Sequence, residues 1–211
     1  MKKKYIEAIV KHYETCLEKH GDNHLGVDWP KEEDVYKRYQ IMLDVIVSEK
    51  DDTKVSLLDF GCGTAHLLQY IYDQQINGVE YSGLDVSDKF VAMCRKKFPN
   101  TSFYNFDILD PGVKMPKFDY IIMNGVFTEK RELKFEEMWD YFCKMLLQVF
   151  SFAKKGIAFN VMSKAVDWER EDLFHVSADL LINFLTKNLT REFIIRNDYG
   201  LFEFTTYVYK K

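Results

Sequence analysis

Hydrophobic and polar positions follow one pattern before about residue 50 and another after it. In residues 2–20 the apolar side chains recur at three- and four-residue spacing, which predicts an amphipathic helix. A loop rich in Gly, Asp and Asn follows, and Pro30 opens a second segment of the same period that ends near Lys50. We therefore interpret residues 1–50 as a helical N-terminal preface.

From Val55 onward, short apolar runs alternate with helical segments. The predicted strands are Val55–Phe60, Val79–Leu84, Ser102–Phe106, Phe118–Met123 and Gly156–Met162, and the predicted helices are Ala65–Gln75, Ser87–Phe98, Glu132–Phe152 and Ser177–Lys187. Nearly continuous apolar strands separated by helices are typical of a parallel sheet that is covered on both faces. The pattern predicts a doubly wound α/β fold for residues 51–211.

The end of the chain departs from this alternation. Two β-rich runs, Arg191–Asn197 and Leu201–Tyr209, are separated by only a few residues. A parallel connection needs a dozen or more residues, so these runs must pair as an antiparallel hairpin. We expect a mostly parallel, seven-stranded sheet that ends in this hairpin.

Composition narrows the classes of partner. The 211 residues are 47% hydrophobic, with 29 basic against 33 acidic side chains and a net charge of −4, so the chain is globular and nucleic acid is a disfavoured partner. No stretch approaches the roughly 18 apolar residues of a membrane span, and charged residues interrupt the start of the chain, so a signal peptide is not expected. The four cysteines are dispersed, so neither a metal site nor a disulfide is predicted. We expect a cytoplasmic protein of undetermined oligomeric state.

The turn after the first predicted strand carries the most chemical information. Gly61 and Gly63 stand where a strand passes into a helix, which lets the backbone approach a ligand closely. A dinucleotide site would have a third glycine at position 66, where this chain has His66. Asp59 would repel a pyrophosphate but would suit an ammonium or sulfonium group. The turn therefore predicts a cationic ligand that contains adenosine.

Two further carboxylates stand at the ends of the next two predicted strands. Asp85 lies 22 residues after Gly63, close to the offset at which an acidic side chain accepts the ribose hydroxyls, and Asp107 follows the third strand. Neighbouring strands lie about 4.8 Å apart, so the three strand ends would line about 10 Å of crevice. This matches the length of an adenosine, with Asp107 positioned to accept from the adenine amino group.

These segments resemble motifs I to IV of the class I S-adenosylmethionine-dependent methyltransferases. The resemblance rests on Asp59–Thr64, on Asp85, on the pair Asp107-Ile108, on Phe118–Gly125 and on the terminal hairpin, and it covers residues 55–211. It implies S-adenosylmethionine as cofactor and a division into the preface, residues 1–50, and a methyltransferase domain, residues 51–211. The cofactor-binding residues that it implies are Asp59, Gly61, Cys62, Gly63, Asp85, Val86, Asp107, Ile108 and Asn124, the last beside the transferred methyl group.

Two other residues are candidates for roles that the motifs do not fill. A hydroxyl acceptor would need a proton acceptor, and His175, in the predicted loop after the fifth strand, is a candidate because histidine often acts as a general base. The alternative is that His175 merely precedes the helix that begins near Ser177. Arg38 could bind the carboxylate of the methionine moiety, although a lone arginine on a helix is more often solvated.

The sequence thus predicts an enzyme that methylates oxygen or nitrogen of a small polar acceptor, with a sugar or a phosphorylated small molecule favoured. Diffuse similarity in the preface and the hairpin points to bacterial small-molecule methyltransferases associated with surface glycans. Three alternatives stay open: a protein or RNA methyltransferase, a non-catalytic protein that binds an adenosine ligand, and an NAD-dependent oxidoreductase, which His66 and Asp59 oppose.

Overall fold

A computed structural model describes residues 2–46 and 54–211, without the side chains of residues 2–5. The helices are α1 (Lys2–His20), α2 (Glu32–Leu43), α3 (His66–Asp73), α4 (Asp88–Lys97), α5 (Phe135–Phe152) and α6 (Ala178–Asn188). The strands are β1 (Val55–Phe60), β2 (Val79–Leu84), β3 (Ser102–Tyr104), β4 (Phe118–Phe127), β5 (Ala153–Ser163), β6 (His175–Val176), β7 (Phe193–Arg196) and β8 (Glu203–Tyr209). Short 3₁₀ turns occupy His24–Val27 and Asp44–Ile46.

The strands form one sheet in the order β3-β2-β1-β4-β5-β8-β7. Strand β8 runs antiparallel to both of its neighbours, and the other strands on this path pair in parallel. The predicted doubly wound fold and its C-terminal hairpin are confirmed. The difference is β6, a two-residue strand that pairs with the end of β5 and is too short to produce a periodic signal.

Two apolar clusters cover the two faces of the sheet. Successive side chains of a strand point to opposite faces, so Leu57 packs with α2, α3 and α4, whereas Leu58 packs with α5 and α6. Both leucines are completely buried. Burial on both faces explains why the central strands are nearly continuous apolar runs.

Element ends differ from the predicted ones for local reasons. Strand β4 continues past Met123 to Phe127 because Phe127 pairs with Val161 after an irregularity in the ladder. Helix α5 begins at Phe135 because the backbone of Lys134 bonds the Glu137 carboxylate in a capping box. Helix α2 begins two residues after Pro30, and its predicted end near Lys50 lies outside the described residues.

The preface lies against the carboxyl ends of the strands through polar contacts. Ser87 donates a hydrogen bond of 2.5 Å to Glu14, and Asp22 receives hydrogen bonds from His66 and Lys97 at 2.7 and 2.8 Å. A further ion pair joins Lys89 to Glu18 at 2.7 Å. These contacts hold α1 over the edge of the sheet where β1 and β2 end.

Among the described residues, no helix is both long enough and apolar enough to cross a membrane.

Candidate functional site

A cavity of about 180 Å³ opens at the carboxyl ends of β1, β2 and β4, beneath α1. Its floor is formed by the strand ends and the turns that follow them. Its roof includes apolar side chains of α1, namely Ile6, Ile9, Val10 and Tyr13. Ligands of open α/β sheets bind at this edge, so the cavity is the candidate active site.

The glycine turn after β1 forms one wall of the cavity. Gly61 has φ +76°, and a Cβ at this position would lie 2.7 Å from Cγ2 of Val126, so only glycine fits without a shift. The backbone amides of Gly61 and Cys62 donate to Leu84 O at 2.7 and 3.0 Å. Gly61, Cys62 and Gly63 all line the cavity.

Asp85 lies directly after β2 and lines the cavity beside this turn. Its two oxygens accept from the backbone amides of Gly63 and Ser87, each at 2.9 Å. Burial raises the pKa of this carboxyl to about 6, against the lowering effect of those amide hydrogen bonds. A carboxylate has about four acceptor positions, so the backbone amides leave room for a ligand hydroxyl.

Asp59 is the more deeply buried of the two carboxyls, with 4% of its surface exposed. Tyr81 donates a hydrogen bond of 2.7 Å to it. Burial raises its pKa to about 7, the Tyr81 hydrogen bond works against this rise, and the neighbouring Asp85 adds to it. A cationic ligand group near Asp59 would favour the ionised form.

Of the residues predicted to bind the adenine end and its surroundings, some line the cavity and one does not. Asp107 and Val86 line it, and one Asp107 oxygen accepts from the Leu109 amide at 2.9 Å. Ile108 is buried, with 1% exposed, and is not among the lining residues because it packs into the apolar core beside α5. The structure thus brings Asp107 to the cavity without its neighbour.

Asn124 lies near the end of β4 and lines the cavity. Its side-chain Oδ1 is buried and finds no hydrogen-bond partner within the described part of the chain. An unpaired buried acceptor costs free energy unless a ligand donor reaches it. Asn124 is therefore suited to hold a polar donor of a bound ligand.

Gly125, next to Asn124, is held from two sides. Its amide donates to Asn160 Oδ1 at 2.8 Å, and its φ is +79°. A Cβ on Gly125 would lie 2.7 Å from Cζ2 of Trp29, which also lines the cavity. The preface and this part of β4 are thus packed directly against each other.

Arg38 does not line the cavity, so its predicted contact with the methionine carboxylate is corrected. Its Nε donates to both oxygens of Glu203 at 3.0 Å, and its Nη2 donates to one of them at 2.9 Å. Glu203 also accepts from Asn160 at 2.9 Å, and the Arg38 guanidinium stacks 4.1 Å over the Trp29 ring. A buried glutamate on β8 requires this cation, which is why Arg38 is turned away from the ligand.

His175 does not line the cavity either. It forms β6 with Val176 and is 5% exposed. Its Nδ1 lies 2.6 Å from Ser163 O, and its Nε2 accepts from the Arg170 amide at 3.3 Å. Both ring nitrogens are occupied by backbone groups, so the predicted role of His175 as proton acceptor at this site is not supported by its position.

Three features of the site were missed in the sequence. Glu129, two residues after β4, lines the cavity, and so does Tyr141 on α5. Neither residue belongs to a recognisable motif. The periodicity of α1 predicted an apolar helix face but not that the face covers the cavity.

One group of side chains has donor atoms close enough for a metal ion. His12, Cys16 and Asp28 have these atoms within 4.8 Å of one another. His12 and Asp28 already bond each other at 2.8 Å, and Asp28 is exposed. We interpret this group as a polar contact between α1 and the loop that follows it.

The Trp29 contact yields a testable prediction. We expect Gly125→Ala to lower the free energy of unfolding by about 2–4 kcal/mol, because left-handed backbone strain is added to a clash with the Trp29 ring. Gly112→Ala is the matched control, because Gly112 has φ +81° but no atom within 4 Å of an added Cβ. Urea denaturation of both variants gives the comparison, and equal losses would contradict the contact.

Comparisons with known proteins agree with this geometry. Residues 58–146 match a family model described as a methyltransferase domain. Rv1506c of Mycobacterium tuberculosis, which is named as a methyltransferase, is 27% identical to this chain over 158 residues. The alignment covers 74% of this chain and 93% of the relative.

Solved structures show the same fold. Magnesium protoporphyrin IX methyltransferase of Synechocystis PCC 6803 with bound SAH aligns with a TM-score of 0.65 and 14% identity, over 97% of this chain and 100% of that one. The plantazolicin methyltransferase BpumL, in complex with a monoazolic analogue and SAH, aligns with a TM-score of 0.62 and 16% identity, over 99% and 97%. Together with the domain match and the strand order, these findings support a class I S-adenosylmethionine-dependent methyltransferase.

Proposed function

We propose that the protein transfers a methyl group from S-adenosylmethionine to oxygen or nitrogen of a small polar acceptor that enters the cavity under α1. The observation that carries the proposal is the meeting of Asp59, Asp85 and Asp107 with the unpaired Asn124 oxygen around one cavity. Bound S-adenosylmethionine supplies the activated methyl group, so the protein needs mainly to orient the reactants and exclude water.

Each carboxylate has a distinct proposed contact. Asp85 would accept the ribose hydroxyls, because its oxygens stand at the end of β2 beside the glycine turn. Asp59 would face the cationic methionine end, and Asp107 would accept from the adenine amino group. Val86, Ile108 and Cys62 complete the predicted site, with Ile108 supporting it from the core.

The acceptor class is narrowed by the charge of the cavity wall. Among the described residues that line it, none is a lysine or arginine. A phosphorylated acceptor would find no counter-ion there, so the charge of the wall disfavours this class of acceptor. The proposal keeps the cytoplasmic location predicted from the sequence, and cell fractionation would test it.

We also propose that residues 1–50 act as a lid on a methyltransferase domain formed by residues 51–211. Support comes from the side chains that α1 contributes to the cavity and from the contacts that Glu14, Glu18 and Asp22 make with the domain. The boundary itself falls outside the described residues.

The proposed cofactor site predicts a pH dependence. Asp85 has a pKa of about 6 and must be ionised to accept both hydroxyls, so we expect the affinity for S-adenosylhomocysteine to fall about tenfold between pH 7.5 and pH 5. Because a bound cation would lower the pKa of Asp59 from about 7, S-adenosylmethionine should also release protons on binding near pH 6.5.

Titration calorimetry tests both statements. Heats measured at pH 6.5 in buffers of different ionisation enthalpy report the proton release. The control ligand is NADH, which lacks a sulfonium and carries a pyrophosphate. Tight binding of NADH with no binding of S-adenosylhomocysteine would overturn the proposed function, as would an affinity that rises when the pH is lowered.

A further inference from the structure

Glu129 lines the same cavity as Asn124. Between them the ladder of β4 is irregular, and the hydroxyl of Thr128 donates to Gly125 O at 3.1 Å. Glu129 comes directly after Thr128 and has 15% of its side chain exposed. Its backbone is fixed by a bridge to Leu173, and its carboxylate lies 3.3 Å from Nε of Arg131.

The lining of the cavity has an unbalanced charge. Four carboxyl groups line it, those of Asp59, Asp85, Asp107 and Glu129, and no lysine or arginine does so among the described residues. The proposed cofactor contacts use the three aspartates, and Glu129 is the remaining carboxylate. A wall of this kind attracts a cationic acceptor and repels an anionic one.

Aromatic rings line the same cavity as Glu129. Tyr13 from α1, Trp29 from the preface and Tyr141 from α5 all line the cavity. Trp29 is fixed between Arg38, stacked 4.1 Å from its ring, and the backbone of Gly125. Aromatic faces and a carboxylate together are the chemistry that recognises a substituted ammonium group.

We propose that the methyl acceptor is a small amine with an apolar body, and that Glu129 binds its nitrogen and takes the proton that this nitrogen loses. This inference rests on the proposed function and narrows it from oxygen or nitrogen to nitrogen. It also assigns the proton acceptor that His175 does not supply at this cavity.

The proposed step is balanced in atoms and electrons. An ammonium acceptor gives one proton to the Glu129 carboxylate, and the freed lone pair of its nitrogen forms the new bond to the methyl carbon. The bond from that carbon to sulfur breaks with its electron pair left on sulfur, so the sulfonium becomes a neutral thioether. Burial raises the pKa of Glu129, against the lowering effect of Arg131, and this makes the carboxylate a better base.

Three probes with one carbon skeleton test the inference without knowledge of the natural acceptor. 2-Phenylethylamine, 2-phenylethanol and phenylacetate are titrated into the protein saturated with S-adenosylhomocysteine. We expect the amine to bind at least about tenfold more tightly than the acid, because only the amine gains a charged hydrogen bond to Glu129. Mass spectrometry with S-adenosylmethionine then reports methyl transfer to each probe.

Glu129→Gln removes the charge and keeps the shape, so it should abolish the preference for the amine and lower methyl transfer by about a hundredfold. Glu132→Gln is the matched control, because it makes the same change at an exposed site three residues away. Glu129→Asp should restore part of the preference.

The outcomes separate this inference from the proposed function. If the protein does not bind S-adenosylhomocysteine, the proposed function itself is overturned. With that binding intact, the inference is overturned if the acid or the alcohol binds as well as the amine, if none of the three probes binds, or if Glu129→Gln keeps the preference.

Discussion

Replacing Arg38 by methionine is expected to lower the free energy of unfolding by about 3–5 kcal/mol. Glu203 has 1% of its side chain exposed and receives three hydrogen bonds from Arg38. Methionine leaves the Glu203 carboxylate buried without its cation. The free energy lost in this way is much larger than the net stabilisation that the ion pair provides. Because small domains are stable by only about 5–15 kcal/mol, a loss of this size should be visible directly in urea denaturation.

Two further variants show whether the buried charge is the cause. Lys37→Met makes the same change one residue earlier on α2, where the side chain is exposed, and should cost less than about 0.5 kcal/mol. The double variant Arg38→Met with Glu203→Met removes both charges and should recover much of the stability. Additive losses in the double variant would mean that the ion pair is not what Arg38 stabilises.

We expect Arg38→Met to affect catalysis as well, through the hydrogen bonds that connect Glu203 to the cavity. Glu203 accepts from Asn160, and Asn160 accepts from the amide of Gly125 beside Asn124. Loss of Arg38 also frees the Trp29 ring, which lines the cavity. We therefore expect methyl transfer to fall more than the affinity for S-adenosylhomocysteine, since Asp85 and the glycine turn lie outside this network.

Sequence reasoning predicted those features whose cause is local. The strands are apolar runs because both faces of a parallel sheet are buried, and the hairpin follows from a linker too short for a parallel connection. Asp59, Asp85 and Asp107 were predicted to lie together because parallel strands end at one edge of the sheet. The structure brings all three to the cavity.

The errors concern residues whose partners are distant in the chain. Arg38 and Glu203 are separated by 165 residues, and no local pattern reveals that β8 buries a carboxylate. His175 follows β5 as expected, yet its two ring nitrogens are engaged by Ser163 O and by the Arg170 amide. Glu129 was overlooked because its position depends on the irregular end of β4 and on a bridge to the distant Leu173.

Asp85→Ala is expected to weaken the binding of S-adenosylhomocysteine about a hundredfold or more. The proposed loss is that of two hydrogen bonds from ribose hydroxyls to a charged acceptor, each worth about 1.5–3 kcal/mol, and each 1.4 kcal/mol is a factor of ten in affinity. The change also leaves the amides of Gly63 and Ser87 without the acceptor that fixes the glycine turn. Titration calorimetry at pH 7.5 measures the affinity.

The control for this variant lies three residues away. Asp88 is exposed at the start of α4, so Asp88→Ala removes a carboxylate of the same sign near the site without touching the cavity lining. We expect its affinity to stay within about threefold of the unchanged protein, because exposed charges at this distance are screened by solvent. Asp85→Asn separates charge from shape: its amide oxygen still accepts, but its NH₂ group faces a backbone donor. An intermediate loss is therefore expected, and affinity equal to that of the unchanged protein would contradict the role of Asp85 as the ribose acceptor.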